Sequence, residues 1–129
     1  MSEPQPLELR PLRQALLTLH KALLEAERRR YERLHGRVEG PGRLLALLLH
    51  DPWFAWLRPL SALVVQIDEL IEAKEPPEPK ALAALRDQVR TLLTPKEGGE
   101  GFGEQYHDAL QGSPDVVLAH REVSRVLNP

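Results

Sequence analysis

The amino-acid sequence predicts an all-α protein, namely an antiparallel four-helix bundle with one or two additional short helices. Apolar residues recur at spacings of three and four along every periodic segment, which is the period of an amphipathic helix. Leucine, alanine, glutamate and arginine, all good helix formers, are abundant, whereas valine and isoleucine are few. Stretches rich in proline and glycine separate these segments, and helices joined by short connections pack as antiparallel neighbours.

Length and composition indicate one globular unit. The chain has 129 residues, enough to bury a core, so we expect a single helical domain over residues 1–129. It contains no cysteine, which excludes disulfides, thiolate metal sites and cysteine nucleophiles. No run approaches the roughly 20 apolar residues needed to cross a bilayer, and the N-terminus lacks the pattern of a signal peptide. We therefore expect a cytoplasmic protein without membrane contact.

The first half of the chain predicts one long and one short helix. We expect residues 1–6 to be disordered and the first helix to run from Pro6 or Pro11 to about Leu34. Glycine and proline between residues 36 and 42 end this helix, and a short helix from Arg43 to His50 follows. The inward stripe of the long helix consists of leucines four or three residues apart, namely Leu12, Leu16, Leu19 and Leu23.

The central segment predicts a helix with an interruption. Asp51 is a good N-cap and Pro52 suits the first helical position, so a helix should begin here and reach about Ala73. Pro59 has no backbone N–H to donate, and we expect a kink or a restart near Arg58.

The second half predicts three further helices separated by connectors. Residues 74–80 form a proline-rich connector, a helix from Lys80 to about Leu93 follows, and residues 95–103 form a flexible glycine-rich loop. Phe102, Tyr106 and Leu110 line a first short helix. Ser113, followed by proline and Asp115, predicts the capped start of the last one.

Three aromatic residues, Trp53, Phe54 and Trp56, form the first candidate site. On an α-helix they spread over about 300° at 100° per residue, so one neighbouring helix cannot cover all of them. Either this corner is a plug in the core, or it is an interaction surface, since tryptophan is enriched at the anchors of protein interfaces.

Buried polar residues form the second candidate site. His20, Glu27 and Tyr31 share a stripe that borders the leucine face of the first helix, and Asp68 lies between Val64 and Ile71 on another. A buried carboxylate needs a hydrogen-bond donor or a raised pKa. Tyr31, His20, His120 or an arginine could supply that donor. Three interpretations stay open: a polar lock between helices, a ligand-binding or acid–base site, or an Asp68 side chain that is simply exposed beside Glu69 and Glu72.

A weaker metal hypothesis comes from two Glu-x-x-His patterns. Glu32 with His35 and Glu104 with His107 each share a helix face, and paired motifs of this kind bind metal in carboxylate-bridged bundles. Both pairs lie at helix ends beside glycine, where a dry bundle core is not expected. We therefore predict no cofactor and no metal, with this site as the alternative.

Charge and nucleophile content narrow the function classes. Five arginines lie between residues 28 and 37, but glutamates alternate with them, and a mixed helical surface of this kind makes nucleic-acid binding unlikely. None of the four serines lies in a pattern typical of a nucleophile. We favour a non-enzymatic protein, although the sequence alone leaves an enzyme open.

The segment DPWFAWLRPLS, preceded by YERLHG and followed by SPDVVLAHREV, resembles a group of small uncharacterised bacterial proteins. The resemblance covers most of the chain. It implies a bacterial origin and a helical fold, and it assigns no functional residue.

Two functional hypotheses follow from the sequence. The first is a helical bundle that acts by protein–protein contact, including self-association as a homodimer, through Trp53, Phe54 and Trp56 or a leucine face. The alternative is a bundle that binds a metal or small ligand through histidine and carboxylate side chains.

Overall fold

The computed structural model describes residues 7–99 and 101–128, and these residues form helices and no β-strand. The all-α prediction is thus confirmed for the described ranges, whereas the expectation for residues 1–6 lies outside them. The antiparallel four-helix arrangement stays a prediction. The elements are, in order, α1 (Leu9–His35), α2 (Gly40–His50), a 3-10 helix (Pro52–Leu57), α3 (Arg58–Glu72), α4 (Pro79–Leu92), α5 (Phe102–Gly112) and α6 (Pro114–Leu127).

Two helix starts follow the capping chemistry that the sequence predicts. The Asp51 carboxylate accepts a hydrogen bond from the backbone N–H of Trp53 at 2.8 Å. The Ser113 hydroxyl accepts one from the backbone N–H of Val116 at 3.4 Å. In both cases the next residue is a proline, whose missing N–H would have no partner in the first turn anyway.

The predicted interruption near Arg58 is a change of helix type. Residues 52–57 form the 3-10 helix, and α3 begins at Arg58 with Pro59 in its first turn. The Arg58 side chain turns back, and its Nη2 donates to the backbone carbonyl of Leu49 at 2.9 Å. This bond satisfies one of the free carbonyls at the end of α2 and ties that end to the start of α3.

Both predicted connectors end two residues earlier than expected, since residues 73–78 join α3 to α4 and residues 93–101 join α4 to α5. Pro79 and Lys80 belong to α4, since proline is well tolerated at the first position of a helix. Phe102 and Gly103 belong to α5, and the Phe102 ring packs against Trp56. That contact explains why the glycine-rich segment gives way to a helix at this residue.

The core is built around α1, the longest helix. Its leucine stripe is buried as predicted, and α1 packs mainly against α3 and α6. The other large, fully buried side chains come from the 3-10 helix and from α3, α4, α5 and α6, namely Phe54, Leu57, Leu60, Ile67, Leu85, Val89, Tyr106 and Val116. In the part of the chain that the structure describes, no helix is both long and apolar enough to traverse a bilayer.

Helices α1 and α3 run antiparallel, and two polar contacts fix their register. Arg13 forms an ion pair with Asp68 at one end of the contact. Seven residues further along α1, the His20 Nε2 lies 2.9 Å from the Ser61 hydroxyl. The residue numbers sum to 81 in both pairs, as expected for two helices of opposite direction.

Helix α4 lies at the side of this assembly and packs chiefly on α3. Leu85 and Val89 are its buried residues. The amides of Gln66 and Gln88 exchange hydrogen bonds of 3.2 and 3.3 Å between α3 and α4. Arg90 adds a hydrogen bond to Asn128, just beyond the end of α6.

Candidate functional site

The 3-10 helix connects two clusters of aromatic side chains. On the Trp53 side, the Tyr31 ring contacts Trp53 edge-on at a centroid distance of 5.9 Å and lies 5.5 Å from Phe54. His35 stands edge-on to Trp53 at 5.8 Å. The Arg30 guanidinium lies 5.6 Å from the centre of the Trp53 ring, within the range of a cation–π interaction.

On the Trp56 side, the rings form a chain that reaches the last helix. Trp56 lies 5.2 Å from Phe102, and Phe102 stacks at 5.5 Å on Tyr106. Tyr106 in turn contacts the His120 ring at 5.5 Å. All six aromatic residues of the protein therefore belong to one of these two clusters.

These contacts change the interpretation of the Trp53, Phe54 and Trp56 corner. Phe54 has no exposed surface, so it is a core residue and not part of an interaction surface. Both tryptophans are half-buried and pack against the core. Among the described residues, neither indole Nε1 has a hydrogen-bond acceptor, although both atoms are buried. The corner is chiefly a plug, because the 3-10 helix packs on α1, α2, α3 and α5 and is covered on several sides.

Glu27 is the one buried charged residue in the described ranges, with 3% of its surface exposed. The stripe on α1 predicts partial burial for this side chain. Its Oε1 accepts a hydrogen bond from Arg30 Nη1 at 2.9 Å, so the donor comes from the next turn of the same helix. Because Arg30 also lies over Trp53, it connects the buried carboxylate to the first aromatic cluster.

Tyr106 and His120 form a buried pair between α5 and α6, with the phenolic oxygen 2.6 Å from Nδ1. Burial raises the pKa of the Tyr106 phenol, so it keeps its proton and donates. Burial lowers the pKa of the His120 imidazole, and in the neutral tautomer with its proton on Nε2 the Nδ1 atom accepts this hydrogen bond. The second imidazole, His20, also has its pKa lowered by burial.

Ser61 and Tyr106, the partners of these histidines, were missed at the sequence level. The Ser61 contact depends on the α1–α3 register, and the Tyr106 contact depends on the angle between α5 and α6. Neither quantity has a local signal. The Ser61–His20 pair has the geometry of a polar lock, since no carboxylate among the described residues holds the other nitrogen of the imidazole, as a catalytic triad would require.

The predicted polar candidates do not converge. Glu27, Asp68 and His120 have separate partners, namely Arg30, Arg13 and Tyr106. The burial proposed for Asp68 is not observed. Its side chain lies at the edge of the α1–α3 contact, with 37% of its surface exposed. Tyr31 contributes its ring to the Trp53 cluster. The geometry favours a structural role for these groups: the contacts of Asp68 and His120 join two helices, whereas that of Glu27 lies within α1.

Glu32 and His35, the first pair of the metal hypothesis, have other contacts. Glu32 accepts from Arg28 at 2.7 Å and from the backbone N–H of Val38 at 2.8 Å, so it fastens the turn after α1. His35 packs on Tyr31 and Trp53. The described ranges contain no group of three or more His, Cys, Asp or Glu side chains placed to hold a metal ion, and Glu104 and His107 do not form one with the first pair.

A groove with a volume of about 490 Å³ lies between α1 and the corner that joins α5 to α6. Small residues form part of its lining, including Ala22, Ala26 and Gly112. Arg29 and Arg33 line the α1 side, and neither has an ion-pair partner among the described residues. Four acidic residues also line it, namely Glu25, Glu27, Asp108 and Asp115.

Helix α2 carries two of the large apolar side chains that are exposed in the described part of the chain. Four residues at spacings i, i+3, i+4 and i+7 share one face of this helix, the α2 apolar face: Gly42, Leu45, Ala46 and Leu49. Both of its leucines are 55% exposed. Of the five leucines in α2, Leu47 alone is fully buried, by packing toward the 3-10 helix.

Comparisons with protein-family models, with curated proteins and with solved structures find no match to this chain. The functional interpretation therefore depends on the geometry of the protein itself.

Proposed function

We propose that this protein is a non-enzymatic helical protein that acts by contact with other protein, through the α2 apolar face. The observation that supports it most directly is the exposure of Leu45 and Leu49 on a helix without a charged residue between positions 44 and 49. Contiguous exposed apolar surface is uncommon on monomeric proteins and typically marks an interaction site.

The surroundings of α2 support this role. The aromatic plug beneath it is rigid because Phe54 and Leu57 are fully buried. Arg58 fastens the end of the helix through the Leu49 carbonyl. A contact surface on a fixed element loses little conformational entropy on binding. The proposal includes the antiparallel four-helix arrangement of the longer helices as the scaffold, and it does not depend on the resemblance to bacterial proteins.

A double substitution on the α2 apolar face tests the proposal. We expect Leu45→Gln/Leu49→Gln to reduce the protein captured on an immobilised, tagged chain by about tenfold or more, because interface leucines contribute roughly 1 kcal/mol or more each. The immobilised chain is incubated with lysate of the source cells to which an untagged copy of this chain has been added. The captured proteins are then identified and quantified by mass spectrometry. Glutamine keeps the helix propensity close to that of leucine.

Val65→Gln is the matched control, since Val65 is 56% exposed on α3 and lies outside this face. It should leave capture unchanged. Equal capture by the wild type and the double variant, with unchanged helical circular dichroism, would refute the proposed surface.

A second function, binding of a small ligand, is favoured by one observation at the groove between α1 and the α5–α6 corner. The buried Glu27 lines it, and so do Asp108, Asp115 and two arginines, Arg29 and Arg33, that form no ion pair among the described residues. Walls of opposite charge suit a ligand that carries an anionic and a cationic group, such as a free amino acid.

Titration followed by NMR tests this second function. We expect an amino acid to shift the amide signals of the groove in a saturable way. Acetate or methylamine alone should bind at least about tenfold more weakly, because each lacks one ionic contact. Arg33→Ala should abolish the shifts, whereas Arg43→Ala, at an exposed arginine outside the groove, should not. Identical weak shifts with all three compounds would contradict it.

A further inference from the structure

The α2 apolar face has a shape that complements itself. Its two leucines are separated by small residues, so the face presents projections at Leu45 and Leu49 and depressions at Gly42 and Ala46. Small residues let two helices approach to the short end of the usual interaxial range of about 8–10 Å. The space beside Gly42 is open, because a Cβ built there meets no described atom within 4 Å.

We propose that the partner of this face is a second copy of the chain, with the two α2 helices packed antiparallel across a twofold axis. This inference rests on the proposed function. In an antiparallel pair, residues at the same level have numbers with a constant sum. A sum of 91 places each Leu49 level with Gly42 of the other copy, and each Leu45 level with Ala46. Every large residue then meets a small one, and the axis passes between residues 45 and 46.

The charges at the two ends of α2 fit the same register. Glu39 precedes the helix, and its exposed side chain has no role in capping. The Arg58 guanidinium lies at the other end, against the Leu49 carbonyl. With a sum of 91, Glu39 lies level with position 52 of the other copy, close to the level of that copy's guanidinium. Arg43 lies level with Leu48 and within three residues of Asp51. The pairing therefore brings opposite charges together at both ends.

The size of the face sets the expected strength. A standard interface buries roughly 800 Å² on each partner, and one face of an 11-residue helix is smaller than that. We therefore expect a reversible dimer with a dissociation constant on the order of 1–100 μM. Sedimentation or light scattering over this concentration range should show a shift from monomer to dimer.

The absence of cysteine makes the register directly measurable, since one introduced thiol is the sole thiol of the chain. Ala46→Cys places that thiol beside the proposed axis. Under mild oxidation we expect it to form disulfide-linked dimers about tenfold faster, or more, than a thiol on another surface, because a disulfide requires Cα atoms within roughly 7 Å. Val65→Cys is the matched control.

Two second-site substitutions separate the interface from the fold. Gly42→Gln in the Ala46→Cys background should slow cross-linking severalfold while the circular dichroism and thermal transition of the chain stay intact, because the added side chain fills the depression and not the core.

Glu39→Arg should weaken the dimer at low salt and have little effect at high salt, as expected for exposed charges.

The outcomes distinguish the two proposals. Equal cross-linking at positions 46 and 65, with a monomer throughout the concentration range, would overturn the dimer. The contact function would nevertheless stand if the lysate supplied a partner whose capture required Leu45 and Leu49. A dimer that survives both Gly42→Gln and Leu45→Gln/Leu49→Gln would overturn the register and the surface together.

Discussion

Replacing Phe54 by alanine is expected to lower the free energy of unfolding by about 3–5 kcal/mol. The ring is fully buried in the 3-10 helix and lies 5.5 Å from Tyr31. Its removal would leave a cavity among the rings of the Trp53 cluster, and the tight turns of the short helix limit collapse into that space. Urea unfolding followed by circular dichroism measures the change.

Val65→Ala provides the comparison, since this exposed α3 residue should change stability by about 0.5 kcal/mol or less. The same experiment separates the two sequence-level interpretations of the aromatic corner. A contact residue could be truncated with little effect on folding, and a loss below about 1 kcal/mol for Phe54→Ala would place the residue outside the core.

Tyr106→Phe is expected to reduce stability by about 1–3 kcal/mol at neutral pH. The substitution removes the hydroxyl that donates to His120 Nδ1 and keeps the ring that stacks on Phe102. The loss comes from a half-buried acceptor left without its donor. A double-mutant cycle with His120→Leu measures the interaction directly, and a coupling energy near zero would show that the short contact contributes nothing.

The same pair should make the fold sensitive to acid. Burial holds the pKa of His120, and that of His20, below the ordinary value of 6.5. The unfolded chain therefore binds more protons than the folded chain once the pH falls through about 6.5. As the pH falls further, the free energy of unfolding decreases until the pH has passed below the lowered pKa of the folded state. Protonation of His120 also removes the acceptor of the Tyr106 hydroxyl.

Thermal unfolding between pH 8 and pH 5 should show this decrease for the wild type. The slope should be smaller in His120→Leu, which has lost one of the two titrating groups. Stability that rises on acidification over the same range would contradict the assignment of neutral, buried imidazoles.

Local chemistry explains which parts of the fold were predictable. The caps at Asp51 and Ser113 and the restart near Pro59 depend on a few adjacent residues, and the structure contains all three. The burial of Glu27 also follows from the period of a single helix. Each of these features is decided within about two turns of chain.

Features that depend on two elements at once were not predictable. The exposure of Asp68 depends on where α1 crosses α3, and the burial of Phe54 depends on the 3-10 helix being enclosed on several sides. The exposure of the α2 apolar face also depends on two elements at once. Its leucines look like core residues in the sequence, and their exposure depends on which side of α2, the side that carries Leu47, packs on the 3-10 helix.

The two indoles give the protein a built-in optical reporter. Trp53 and Trp56 are the sole tryptophans of the chain, and they lie three residues apart with their Nε1 atoms shielded from water. One ring touches Tyr31 and the other touches Phe102, so each senses a different half of the interior. Intrinsic fluorescence from single-tryptophan variants would therefore show whether the two halves melt together or one after the other, without any added dye.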